Sequence, residues 1–138
     1  MSKAIILSIH PKWAKLIYEG KKTIEWRKNI PKKADSQSVI FLYETAPVCK
    51  VTGWVRFNGA NAVDATKEQR PFNWQDIFLE QVEHGCVERN ELIKYQGNSD
   101  YIYAWRVYDP HKANCPMPIA DFDMELPPQS WCYTEVDV

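Results

Sequence analysis

The sequence predicts an α+β domain built on a mixed, largely antiparallel sheet that curls into a barrel, with short helices inserted between strands. Segments with strand spacing recur along the whole length of the 138 residues. Stretches with helical spacing interrupt them, each closed by a glycine at Gly20, Gly85 or Gly97. Six tryptophans in so short a chain imply bulky core packing, most of it structural. The length suits one domain over residues 1–138, since two would each lie near the lower limit for an independent core.

Lys3–His10 is the first strand, with Ala4-Ile5-Ile6-Leu7 continuously apolar as a strand buried on both faces would be. Pro11 then suits the first position of a helix over about Pro11–Glu19. Trp13, Leu16 and Ile17 form its inner stripe, and Lys12, Lys15 and Glu19 face outward. Lys22–Lys28 alternates, placing Ile24 and Trp26 on one face and Thr23, Glu25 and Arg27 on the other. After a polar loop at Pro31–Ser36, Ser38–Glu44 and Lys50–Asn58 are neighbouring strands joined by a turn around Ala46-Pro47. Asn73 caps a predicted helix carrying Trp74, Ile77, Phe78 and Val82. A second short helix covers Glu88–Tyr95. Tyr101–Tyr108 is a strand rich in aromatic and β-branched residues, broken by Asp109-Pro110-His111. Ile119–Phe122 is expected to pair again, and Ser130–Thr134 ends the pattern after Pro127-Pro128.

Hydrophobic residues at 45% and charged residues at 25% exclude a disordered or collagen-like chain. No apolar run approaches the roughly 18–20 residues of a membrane span, and no secretory leader is present, so a soluble cytoplasmic protein is expected. Residues 1–60 hold eleven basic and four acidic side chains, and residues 61–138 hold six and fourteen, giving charges of +7 and −8. The basic half points to an anionic partner. A pI of 6.3 lies well below the value of about 9 typical of indiscriminate duplex binders, which leaves a local basic groove. Cys49, Cys86, Cys115 and Cys132 form no C-x-x-C pair, which excludes zinc ribbons and thioredoxin-like chemistry. They are expected to be reduced thiols, mostly small core residues, and the His84-x-Cys86 pair is too poor a ligand set for a metal. No metal or cofactor is expected.

The densest polar cluster is Gly20-Lys21-Lys22-Thr23-Ile24-Glu25-Trp26-Arg27. Gly20 permits a sharp turn from helix into strand, with Lys22 at the corner. Glu25 and Arg27 then project from one strand face at i, i+2. A lysine, a carboxylate and an arginine so close together can grip phosphate or a polar base edge, the carboxylate orienting the cations. On an exposed strand the same spacing would be only a surface ion-pair ladder.

Gly20-x-Lys22-x-x-Glu25-x-Arg27 matches the G-x-K-x-x-E-x-R signature of ASCH domains, a branch of the PUA-like superfamily. The flanks resemble that family too, in Leu7-Ser8-Ile9-His10-Pro11-Lys12 and in the ending Pro127-Pro128-Gln129-Ser130-Trp131-Cys132-Tyr133. The resemblance implies a small PUA-like β-barrel with a cleft beside the signature, and RNA or a modified nucleotide as partner. It also implies two possible enzymes, an amidohydrolase of N4-acetylcytidine and a metal-independent ribonuclease. Relatives of the first kind use a threonine nucleophile where this chain has Glu25, which counts against that chemistry. Their distant glutamate would correspond to Glu68, Glu80 or Glu83. The ribonuclease needs a cation, for which Lys22 is placed, and hydroxyls at the cleft, for which Tyr43 and Ser130 are the candidates.

The expectation is therefore an RNA- or nucleotide-binding domain whose cleft contains Lys22, Glu25, Arg27, Tyr43 and Ser130. Lys12 and Lys21 are expected as further ligand contacts, with Lys15 and Lys28 as additional lysines at the mouth. Trp13, Trp26 or Trp131 can stack a base, although the alternation places Trp26 in the core. His10 is the histidine beside the signature's flank and would need a partner to act as a base. The alternatives are hydrolysis at the same cleft, with Lys22, Tyr43 and Ser130 as catalytic candidates, and a protein-interaction module using the acidic segment Asp64–Glu91.

Overall fold

Strand β1 (Ala4–Ile9), apolar along nearly its whole length, takes an inner position in a mixed sheet. It runs parallel to β3 (Val39–Glu44) on one side and antiparallel to β6 (Trp131–Thr134) on the other. The computed structural model describes residues 3–66 and 84–135. Between β1 and β3 lie helix α1 (Pro11–Tyr18) and the short strand β2 (Ile24–Arg27). The long strands β4 (Lys50–Val63) and β5 (Ile102–Met117) follow, separated by helix α2 (Arg89–Gln96). The order β2-β5-β4-β3-β1-β6 makes β1–β3 the one parallel pair among the described residues. The sheet curls into a half-barrel with β2 and β6 as its free edges.

Strand parity sets the core. Ile5, Leu7 and Ile9 of β1 and Ile40 and Leu42 of β3 share one face with Ala14 and Ile17 of α1 and with Trp105 of β5. Ile6, Phe41 and Tyr43 point to the opposite face, where Phe122 closes against Phe41 with ring centres 4.9 Å apart. A third cluster joins Ile24 and Trp26 of β2 to Leu92 of α2 and to Ile102 and Ala104 of β5. Trp26 is thus a core residue, as its alternation predicts. Among the described residues no helix is long and apolar enough to cross a membrane.

Several expectations are corrected. β4 continues past Asn58 to Val63, with a register shift around Gly59, whose φ of +88° suits glycine. β5 is not broken at Asp109-Pro110-His111 but runs on to Met117. One extra residue bulges there opposite β4, and Asp109 takes a φ of +53°. Proline is tolerated because β2 pairs with β5 only as far as Arg106, so the missing N–H faces no second strand. Ile119–Phe122 forms a turn of 3-10 helix instead of pairing. The four cysteines are free thiols but none is fully buried, with Cys49 and Cys115 exposed and Cys86 and Cys132 half-buried, the last against the Phe41 cluster. The helix predicted after Asn73 lies outside the described residues except for its end, where His84 and Gly85 are helical and Cys86 is a turn.

Gly53 marks the tightest crossing in the sheet. A Cβ there would stand 2.2 Å from the His111 carbonyl oxygen, 2.7 Å from the Tyr18 hydroxyl and 2.9 Å from the Lys112 Cα. Two of those atoms belong to backbone. Gly53→Ala should therefore cost about 1–3 kcal/mol, read as a lower urea midpoint at unchanged m-value. An unchanged midpoint would show that the β4–β5 crossing has slack.

Candidate functional site

Gly20 ends α1 in a left-handed conformation, φ +78°, and the Lys21 and Lys22 N–H groups both return to the Leu16 carbonyl. This turn drives the Lys22 side chain inward before β2 begins. β2 then alternates: Ile24 and Trp26 join the core with α2, while Glu25 lies across from Trp105 on the face shared with Arg27. The three charged side chains are buried, with 0% of Lys22, 7% of Glu25 and 12% of Arg27 exposed. The surface ion-pair ladder is thereby excluded.

Each carboxylate oxygen of Glu25 serves one cation. Oε1 lies 3.3 Å from Lys22 Nζ, and Oε2 accepts from Arg27 Nη2 and, at 3.1 Å, from Nε. Lys22 Nζ also donates to the Gly85 carbonyl and stands 5.1 Å from the centre of the Trp13 ring. Arg27 reaches the far edge of the half-barrel, with Nη2 donating to the Ser8 carbonyl at 2.9 Å and Nη1 to Ser130 Oγ at 3.0 Å. Ser8 completes the join by donating its N–H to the Ser130 carbonyl and its hydroxyl to the Pro128 carbonyl.

Burial pushes the Lys22 amine below its ordinary value, and Glu25 only partly offsets that. Burial would raise the Glu25 carboxyl, but Arg27 first and Lys22 second outweigh it and hold it below its ordinary value. The triad carries one surplus positive charge.

The triad lies at the base of an open cleft of about 470 Å³. One wall is the end of β1 and the start of α1, with Ser8, Ile9, His10 and Trp13, joined by Thr45 and Gln129. The other is Trp26, Val87 and the α2 side chains Glu91, Leu92 and Tyr95. Tyr95 carries Lys28 Nζ 5.0 Å above its ring, and burial raises its hydroxyl pKa.

The sequence-predicted residues separate accordingly. Lys22, Glu25 and Arg27 meet at the cleft, and Ser130 is tied to it through Arg27. Tyr43 does not line it: its ring sits in the cluster with Ile6, Phe41, Val51 and Phe122, on the face away from α1, and its hydroxyl is near Cys49. Lys12 lies over Trp13 at 4.6 Å, and Lys21 pairs with Glu19 at 3.7 Å; both are exposed and outside the lining. Trp131 packs edge-on to Trp105 and donates to Asn29 Oδ1, a structural role. Glu68, Glu80 and Glu83 lie outside the described residues, as does most of Asp64–Glu91. Sequence reasoning missed Thr45, Glu91 and Tyr95. Glu91 and Tyr95 are one helical turn apart, so spacing can put them on one face, but nothing in the sequence aims that face at the cleft.

The family model for the ASCH domain matches residues 7–116. An ASCH domain-containing ribonuclease from Zymomonas mobilis subsp. mobilis is 44% identical over 52 residues, 38% of this chain and 34% of that protein. The match thus spans about a third of the relative's length. The crystal structure of the ASCH protein from Zymomonas mobilis aligns with a TM-score of 0.78 at 23% identity, covering 96% of this chain and 88% of that one. A tyrosine-to-phenylalanine variant of the same protein aligns equally well over 91% of its length. At this identity the likeness concerns the fold.

Because the Glu25 carboxyl is depressed in the fold, its contribution is full above its ordinary 4.5 and is lost as pH falls through the folded value. Glu25→Gln should lose about 3–5 kcal/mol at pH 7, having left two buried cations without their counter-charge. Its stability should also fall less steeply than that of the wild type below that ordinary value. Urea unfolding at a series of pH values checks both, and parallel acid limbs would contradict the assignment.

Proposed function

This chain belongs to the ASCH domain family, and from that premise we propose that it binds single-stranded RNA in the cleft around Lys22, Glu25 and Arg27. The observation that carries the reading is the buried triad at the base of an open cleft. One carboxylate between two cations leaves a positive charge in a poorly hydrated place, which an anionic phosphate neutralises. Among the described residues Arg27 makes four hydrogen bonds and keeps one N–H on Nη1, so it can contact the ligand without letting go of the scaffold. A volume of about 470 Å³ suits one unstacked nucleotide, not a duplex. Tyr95, 37% exposed, offers a ring for stacking.

A second reading, RNA cleavage, is favoured by the ribonuclease name of the Zymomonas relative and by His10 in the lining. In it His10 takes the proton of the 2′-hydroxyl as that oxygen bonds to phosphorus. The bond to the 5′-oxygen breaks and that oxygen leaves with a proton from water, while Arg27 and Lys22 steady the negative charge on the phosphorane oxygens. Ser130, which accepts from Arg27 at 3.0 Å, helps to fix that guanidinium.

One end-labelled single-stranded RNA, incubated without metal with wild type or with Lys22→Ala and resolved on native and denaturing gels, tests both readings. Binding predicts a shifted, intact RNA with wild type and at least about tenfold weaker affinity for the variant. Shorter products that depend on Lys22 would establish cleavage. RNA that neither shifts nor shortens with folded wild type would overturn both.

A further inference from the structure

Three consecutive residues just before α2 are tied to three consecutive residues of the charged motif, in reverse order. The His84 carbonyl accepts from the Thr23 N–H at 2.9 Å, the Gly85 carbonyl accepts from Lys22 Nζ, and Cys86 Sγ donates to the Lys21 carbonyl at 3.5 Å. The two segments are more than sixty residues apart in the chain. The middle contact matters most, because a buried ammonium needs acceptors and Lys22 has only two, Glu25 Oε1 and this carbonyl, among the described residues.

The fit of that carbonyl depends on the absence of a side chain at residue 85. A Cβ there would lie 2.2 Å from Trp26 Nε1, 3.0 Å from Cε2 and 3.2 Å from Cδ1. Trp26 cannot easily yield, being 6% exposed and packed in the β2–α2 core. Among the described residues its Nε1 has no hydrogen-bond partner, and the indole meets the glycine by shape. The φ of Gly85 is not in the left-handed region, so the requirement for glycine here is steric.

We propose that Gly85 is a positioning residue of the cleft: its bare Cα forms the notch that receives Trp26 and so holds its carbonyl against the Lys22 ammonium. This rests on the reading of the Lys22–Glu25–Arg27 triad as the base of the ligand cleft. The signature motif is then incomplete by itself, since its lysine is aimed by a residue that the motif does not contain. Gly85→Ala lifts the 84–86 segment off Trp26, and Lys22 loses an acceptor and gains water.

The test follows the Lys22 side chain by NMR titration of protein carrying 13C-labelled lysine. Among the described residues, Glu25, Arg27 and Cys86 are the charged or titratable groups that face it. In wild type it should titrate below the ordinary 10.5. In Gly85→Ala the midpoint should rise by about one pH unit or more as burial is relieved. Trp26→Leu removes the two nearest clashing atoms, so Gly85→Ala/Trp26→Leu should return the midpoint towards wild type. If Gly85→Ala alone does not fold, Trp26→Leu alone should raise the midpoint, the carbonyl having lost its seat, and adding Ala at 85 should lower it again. Folded variants that all titrate as wild type, or an Ala at 85 with no effect on either background, would overturn the proposal. No RNA enters the measurement, so its failure and a failure of RNA binding are separate results.

Discussion

The molecule is organised around one buried carboxylate. Glu25 has 7% of its side chain exposed and is sandwiched between a fully buried lysine and an arginine that is 12% exposed. Taking such charges out of water is costly, and the cost is met only where every partner is in place. Here the partners come from all round the fold. Gly85 lies just before α2, Ser8 is the penultimate residue of β1, and Ser130 precedes β6. Because β2 and β6 are the free edges of the half-barrel, Arg27 is what spans its open side. The same side chain serves the cleft and the closure of the sheet.

That double use explains why the aromatic residues crowd this side. Trp105, opposite Glu25, donates its indole N–H to the Asn29 carbonyl, and Trp131 donates to the Asn29 side chain. The rings of Trp105, Trp131 and Tyr133 then step edge-on across the gap at 5.5 and 5.2 Å. Large rings exclude water from behind the triad, which strengthens its internal attraction and keeps its surplus charge directed to the cleft. The half of the chain with excess positive charge thus uses two of its cations inside, while Lys12, Lys15 and Lys21 stay on the exposed side of α1 and the turn after it.

The cleft is shaped by elements of different stiffness. Its base belongs to β2 and β1, strands held by pairing along their length. Its second wall belongs to α2, an eight-residue helix that meets the core through Leu92 and Gln96. Gln96 accepts the Ala65 N–H and donates to the Asp64 side chain, so the helix is anchored to the end of β4 as well as to Trp26. A ligand that touches Tyr95 and Arg27 together therefore bridges a strand and a helix.

The sequence by itself determined the local events. Alternation in Ile24–Arg27 assigned Trp26 to the core and Glu25 and Arg27 to the other face, and Pro11 and Gly20 bounded α1. These follow from the two-residue period of a strand and from backbone sterics, which depend on neighbours only. The motif likewise marked Lys22, Glu25 and Arg27 as one group. Tertiary structure decided the rest. Tyr43 reads like a cleft hydroxyl, but the face that β3 turns to α1 is the one carrying Ile40 and Leu42, and Tyr43 falls on the other. Pro110 reads like a strand break, but an unpaired stretch of β5 and a bulge absorb it. Gly85 reads as a helix stop, and it is one, but nothing local says that its neighbour in space is Trp26. Each of these depends on which distant segment packs against the residue, and a side chain's chemistry carries no record of that partner until the sheet has closed.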